Sequence, residues 1–171
     1  MTIPRVAVSS QPPAALWTGI VMALCYAEEM SMILDHTIVH ASNPEASTAF
    51  LADILGLPPA RKLAHFTVLA IGETSLDFLP DTPPINSRHF AFRVSEAEFD
   101  AIFDRIRARE IPYWADPFRT QPGAINRWDD GRGLYFDDPD GHLLEVITRS
   151  YGSAGCEAEY PNPLLGCPGR K

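Results

Sequence analysis

Tyr135-Phe136-Asp137-Asp138-Pro139-Asp140-Gly141-His142-Leu143-Leu144-Glu145-Val146 carries the clearest structural instruction in the chain. Pro139-Asp140-Gly141 is a strong turn signal. The apolar runs on either side, Leu134 to Asp137 and Leu143 to Thr148, have strand character, so the stretch predicts a β-hairpin. Side chains alternate along a strand with period two. Leu144 and Val146 therefore share the packed face, and Glu145 points the opposite way.

Upstream of the hairpin the sequence reads as a unit. His89-Phe90-Ala91-Phe92-Arg93-Val94 is a strand, and Ser95 with Glu98 is a capping box that opens a helix. Phe99, Ile102, Phe103 and Ile106 lie on one helical face. Ile111 to Trp114 is a further strand candidate, followed by a polar loop from Asp116 to Arg132. The same pattern occurs earlier. Leu34-Asp35-His36-Thr37-Ile38-Val39 is a strand, and Ser42, Pro44 and Glu45 read as a helix start with a capping box. Ala46, Ala49, Phe50, Ile54 and Leu57 follow at helical spacing, until Gly56, Pro58 and Pro59 stop the helix. Phe66 to Ile71 and Ser75 to Leu79 are strands joined by Gly72-Glu73. Each unit is thus a strand, a helix, then two or three strands, which predicts an α+β chain with an internal repeat.

The repeat places its ionisable residues in matched positions. Phe90, Phe92 and Val94 face the helix, leaving His89, Ala91 and Arg93 opposite; Thr37 and Val39 pack, leaving His36, Ile38 and His40 opposite. The last strand of each unit carries a carboxylate, Asp77 in the first and Glu145 in the second. Two sheets curling toward each other would line one cleft with His36, His89, Glu145 and Asp77. Two imidazoles and a carboxylate suit a divalent iron, manganese, nickel or zinc ion and leave coordination positions open. Asp77 as a fourth ligand would favour Lewis-acid stabilisation of an enediolate over oxygen activation, although Asp reaches less far than Glu. Taken singly, each residue has an ordinary structural reading: a surface histidine, or Glu145 paired with Arg93. Their matched positions favour the metal.

Leu34-Asp35-His36, Arg88-His89-Phe90-Ala91-Phe92 and the hairpin from Tyr135 to Glu145 together resemble the vicinal oxygen chelate superfamily. That group includes glyoxalases, extradiol dioxygenases, fosfomycin-resistance thiol transferases and bleomycin-resistance proteins. The resemblance spans residues 32–151. It implies paired βαβββ modules, about residues 32–82 and 87–151, each a curled mixed sheet with a helix on its outer face, together enclosing a metal-binding cleft. It also implies a homodimer with strands shared between chains, and one divalent metal held by His36, His89 and Glu145. Asp77 falls where glyoxalases place a glutamate ligand. Tyr135, ten residues before Glu145, falls where extradiol and fosfomycin enzymes have a tyrosine that touches substrate; a packed hairpin aromatic is the equal alternative. Ile38 replaces the substrate-contacting threonine of the fosfomycin enzymes, and their arginine has no match near Ala154. The additional acid-base histidine of extradiol enzymes has His40 and His65 as candidates by type only, and His142 reads as a solvated turn residue. Bleomycin-binding members lack the triad.

The expectation is therefore a metal-dependent enzyme acting on vicinal oxygens of a small organic substrate, dioxygenase-like before glyoxalase-like, with Tyr135 orienting the substrate. The alternatives are a sequestering resistance protein and a fosfomycin-type thiol transferase. Trp114, Phe118, Arg119, Arg127 and Trp128, in the loop over the cleft mouth, would shape a pocket for an aromatic or anionic ligand, or else a dimer contact.

The 171 residues allow one domain, or two small fused modules, with a real core. Hydrophobic residues are 46% and charged residues 21%, which excludes a disordered or collagen-like chain and a polytopic membrane protein. Fourteen Lys and Arg against 22 Asp and Glu give a net charge of -8, and the basic residues are scattered, which argues against a nucleic-acid partner. Cys25, Cys156 and Cys167 are too few for a disulfide framework; three reduced thiols in a cytoplasmic protein are expected, with a Cys156–Cys167 bridge as the other reading. Residues 1–31 read first as a leader outside the core, natural translation then starting at Met30 or Met32. An extra docking helix and a signal peptide are the other readings; the apolar run Ala14 to Ala27 is too short to span a bilayer. Residues 152–171, rich in glycine and proline, read as a tail, mobile or draped over a partner.

Overall fold

The computed structural model describes residues 32–166. The expectations for residues 1–31, and those for Cys167 and the end of the tail, lie outside the described residues. The first module runs β1 (His36–Ala41), α1 (Pro44–Leu55), β2 (Arg61–Leu63), β3 (Phe66–Ile71) and β4 (Thr74–Pro80). The second runs β5 (His89–Arg93), α2 (Glu96–Ala108), β6 (Tyr113–Trp114), β7 (Gly133–Asp137) and β8 (Leu143–Ile147), with a single 3-10 turn at Trp128–Asp130. Each module is a four-stranded mixed sheet. The strand orders are β1-β4-β3-β2 and β5-β8-β7-β6, and the first strand of each runs parallel to the last. The expected α+β chain of two βαβββ modules is borne out.

Local chemistry explains the helices. α2 starts on the expected capping box: the Ser95 hydroxyl accepts from the Glu98 N–H, and the Glu98 carboxylate accepts from the Ser95 N–H. It buries Phe99, Ile102 and Ile106 at 2% exposure or less, a burial of about 1.5–3 kcal/mol for each such side chain. The Ile111 N–H then bonds back to the Ile106 carbonyl, through Glu110 in the left-handed region. That closure delays β6 to Tyr113, two residues later than expected. α1 corrects the expected cap. Its N-cap is Asn43, whose side chain accepts from the Ala46 N–H. Ser42 is drawn away by Asp140 of the β7–β8 turn, which accepts from both the Ser42 N–H and hydroxyl and from the Ser47 hydroxyl. Gly56 closes α1 at φ 73°, and an added Cβ would meet the Arg105 guanidinium at 2.9 Å.

These contacts join the modules. One apolar core contains Val39, Leu51, Ile54 and Phe78 of the first module with Phe99, Ile106, Phe136 and Val146 of the second. Phe50 meets Phe136 at 6.4 Å, and Arg105 donates to the Ile54 carbonyl. The helix-bearing faces of the two sheets thus share this core. The opposite faces, which carry the histidines, point away from it, and within one chain the two sheets do not close around a single cleft.

Candidate metal centre

His89 opens β5 and lies in register with Leu143 of β8; Glu145 sits two residues on, in register with Ala91 and Tyr135. The His89 Nδ1 is 3.1 Å from the Leu143 carbonyl oxygen. A carbonyl only accepts, so Nδ1 carries the hydrogen and donates it. The other nitrogen, Nε2, lies 3.1 Å from the Glu145 Oε2. In a neutral ring that nitrogen presents a lone pair to a carboxylate. A metal cation held by both groups would satisfy the nitrogen lone pair and the carboxylate oxygen together. Glu145 is 1% exposed. Its second oxygen, Oε1, accepts from the Tyr151 hydroxyl at 2.6 Å, and the Tyr135 hydroxyl lies 2.6 Å from that of Tyr151. With the Tyr151 proton committed to Glu145, Tyr135 is the donor in the second bond.

Burial and the Glu145 carboxylate push the Tyr135 phenol well above its ordinary range, and the same two causes raise Tyr151. Both remain neutral donors. Tyr135 is fully buried, with the His89 ring 6.1 Å away on one side and Trp128 at 6.3 Å on another.

The first module supplies a second, more open cluster. His36 donates through Nδ1 to the Asp35 carboxylate at 2.7 Å, which raises its pKa, with a further contribution from the charge of Asp77. That bond leaves Nε2 to carry the lone pair. His36 pairs with Ser75 and Ile38 with Asp77, so His36 and Asp77 are diagonal neighbours on one face. Asp77 is 8% exposed and accepts from the Ser75 hydroxyl at 2.7 Å. The two histidines thus share a design. Each directs Nδ1 to an oxygen acceptor, as metal-ligating imidazoles do, and each leaves Nε2 as the nitrogen with the lone pair. The donor chemistry fits a divalent metal.

The candidates do not all meet in one chain. His89 joins Glu145, and His36 joins Asp77, but among the described residues no three His, Cys, Asp or Glu side chains are grouped closely enough to hold a metal ion. His40 pairs with Asp81 at 2.9 Å, and the His65 ring lies tilted against Phe66 at 4.3 Å. Arg93 donates to the Ser150 hydroxyl, while His89 takes the place beside Glu145. His142 corrects the expectation of a solvated turn residue. It is 1% exposed, its Nδ1 accepts from the Arg88 N–H, and its Nε2 donates to the His40 carbonyl. Cys156 takes part in a disulfide, which corrects the expectation of three reduced thiols.

Tyr151 is the site residue missing from the sequence reading. It lies six residues after Glu145, an even spacing that keeps it on the same face if strand alternation is carried past β8. The chain beyond it folds back on its own module. Buried Asp129, at φ 58°, accepts from the Gly152 and Ala154 N–H groups, and its own N–H donates to the Tyr160 carbonyl.

Comparison with known proteins agrees with this architecture. The Glyoxalase/Bleomycin resistance protein/Dioxygenase superfamily matches residues 33–146, and the chain belongs to it. Metallothiol transferase FosB of Shouchella clausii (strain KSM-K16) is 32% identical over 125 residues, 67% of this chain and 79% of that protein. Among solved structures, oxidase ChaP-H1 is 50% identical at a TM-score of 0.69, covering 71% of this chain and 99% of its own. Oxidase ChaP-H2 is 50% identical at 0.71, covering 74% and 100%. Among the described residues no helix is long and apolar enough to cross a membrane.

Proposed function

We propose that this protein is a divalent-metal enzyme that oxidises a small organic substrate bearing vicinal oxygens, with dioxygen as the oxidant. The carrying observation is the pairing of His89 Nε2 with the buried Glu145 carboxylate, together with the matched preparation of His36. The oxidase assignment is supported by 50% identity to two proteins named as oxidases, each covered over essentially its whole length. Iron or manganese fits this reading best; nickel and zinc fit the same donors but not redox chemistry of this kind as readily. When bound, the metal supplies positive charge for paired substrate oxygens and a route for electrons to the oxidant.

The chain's own residues do the rest. His36, His89 and Glu145 hold the ion; Asp77 stands beside His36 as a neighbour or fourth ligand. Tyr135 acts from beneath the site through Tyr151. Because His36 and Glu145 belong to faces that one chain does not bring together, the working unit is a homodimer in which His36 of one copy faces His89 and Glu145 of the other. Exposed Ile38, between His36 and His40 on the first-module face, suits burial against that second copy.

A thiol transferase of the fosfomycin class is the second reading, favoured by the 32% identity to a metallothiol transferase. The test is oxygen uptake by iron- or manganese-loaded protein with a panel of catechols, hydroquinones and hydroxyquinones, beside thiol consumption with fosfomycin. Oxygen uptake that is lost in Glu145→Ala supports the oxidase. Thiol-dependent consumption of fosfomycin without oxygen uptake replaces it with the transferase.

A further inference from the structure

We propose that Tyr151, contributed by the segment after β8, is a positioning residue of the metal centre. It fixes Glu145 so that one oxygen only, Oε2, is presented beside His89. The inference rests on the metal-enzyme reading above. Its geometry is independent of it: the Tyr151 hydroxyl holds Oε1 at 2.6 Å, while Oε2 faces His89 Nε2 at 3.1 Å. The two oxygens of one carboxylate therefore have separate tasks. A carboxylate free at both oxygens could rotate or offer both to a cation; one pinned by a phenol presents a single oxygen in a fixed direction.

The hydroxyl is itself set from two sides. Tyr135, fully buried, donates to it from below, so the Tyr151 proton is directed at Glu145. Tyr151 remains 42% exposed, in contrast to Tyr135, so the phenol accessible from outside is the one after β8. The tail is held in place by Asp129, 2% exposed and in the left-handed region, whose carboxylate takes the Gly152 N–H immediately after Tyr151 and the Ala154 N–H. Asp130 adds the Tyr160 N–H at 2.8 Å. The segment from 150 to 160 is thereby anchored to its own module. Its job is to carry one hydroxyl to Glu145.

The experiment is Mn2+ titration of the metal-free full-length protein by electron paramagnetic resonance, which reads free and bound ion without any substrate. Wild type, Tyr151→Phe, Tyr135→Phe, Asp129→Ala and His89→Ala would be compared. Loss of an outer hydrogen bond of this kind weakens metal binding by about 10–100-fold. Tyr151→Phe is expected to fall in that range and to change the bound-Mn2+ spectrum, with the far-ultraviolet circular dichroism unchanged. Tyr135→Phe, which leaves the Tyr151–Glu145 bond in place, should weaken binding less than Tyr151→Phe does. Asp129→Ala should reproduce the altered spectrum by releasing the tail. An unchanged affinity and spectrum in Tyr151→Phe, with wild type binding tightly and His89→Ala not at all, overturns the role of Tyr151 and leaves the metal centre standing. Wild type that binds no Mn2+, Fe2+, Ni2+ or Zn2+ overturns both.

Discussion

The two modules begin from one pattern and finish it differently. Each places a histidine at the head of its first strand and a carboxylate in its last, on the face away from the helix. In the second module that face is completed within the chain: Glu145 is buried, bonded by His89 and Tyr151, and backed by Tyr135 and Trp128. In the first module the face is open. The His36 side chain is 57% exposed, its acceptor Asp35 lies in solvent, and Ile38 is uncovered. The difference teaches that the repeat is divided by role. In the proposed centre one copy pre-organises a buried carboxylate and offsets its desolvation with hydrogen bonds, and the other offers a histidine on a surface that a second chain can cover.

That contrast can be broken by substitution, and the largest effects belong to the finished face. His89→Ala or Glu145→Ala should abolish stoichiometric metal binding, measured by elemental analysis of protein purified without chelator. Retained metal in either variant would contradict the site. A sequestering pocket would instead keep ligand binding in both His36→Ala and His89→Ala, which calorimetry with a bound ligand would reveal.

Asp77→Ala tests the open face. With three ligands sufficient, the variant should keep its metal and lose no more than about 10–100-fold in affinity, the range of a removed outer-sphere partner. Loss of the ion would make Asp77 a ligand and move the chemistry toward the glyoxalase type.

The smallest effect belongs to the seam between modules. Gly56→Ala puts a Cβ into the left-handed region against Arg105 and should cost about 1–3 kcal/mol in chemical denaturation, with metal stoichiometry unchanged. A neutral result would mean that Arg105 and the α1 end shift without loss of the docking it anchors.

Much of this was legible because it is local. The β7–β8 hairpin follows from Pro-Asp-Gly, α2 from Ser95 and Glu98, and the faces of β1, β5 and β8 from alternation. What escaped the sequence depends on distant partners. Ser42 scores as an N-cap until Asp140, 98 residues on, takes its hydroxyl, and the cap passes to Asn43. β2 has no apolar alternation; Arg61, Lys62 and Leu63 are all exposed, and only the edge of β3 defines it. His142 sits in a turn, which suggests solvent, yet the first module closes over it through the His40 carbonyl. Glu145 was legible as a candidate ligand, but its bond from Tyr151 was not, because the path of the chain after β8 is set by Asp129. Nor does alternation tell which of two faces in a repeat meets which; that depends on the helix faces claiming the shared core.

The central claim is that the metal centre is divided between chains. The direct measurement is the metal content of a heterodimer, isolated through two different affinity tags, that combines one His36→Ala chain with one Glu145→Ala chain. If His36 of one copy serves His89 and Glu145 of the other, one of the two sites keeps every ligand and the other loses two. The account predicts about one metal ion per heterodimer, against none in either variant homodimer and about two in wild type. A heterodimer as empty as the homodimers would contradict it, because each chain would then have carried its own lesion in its own site.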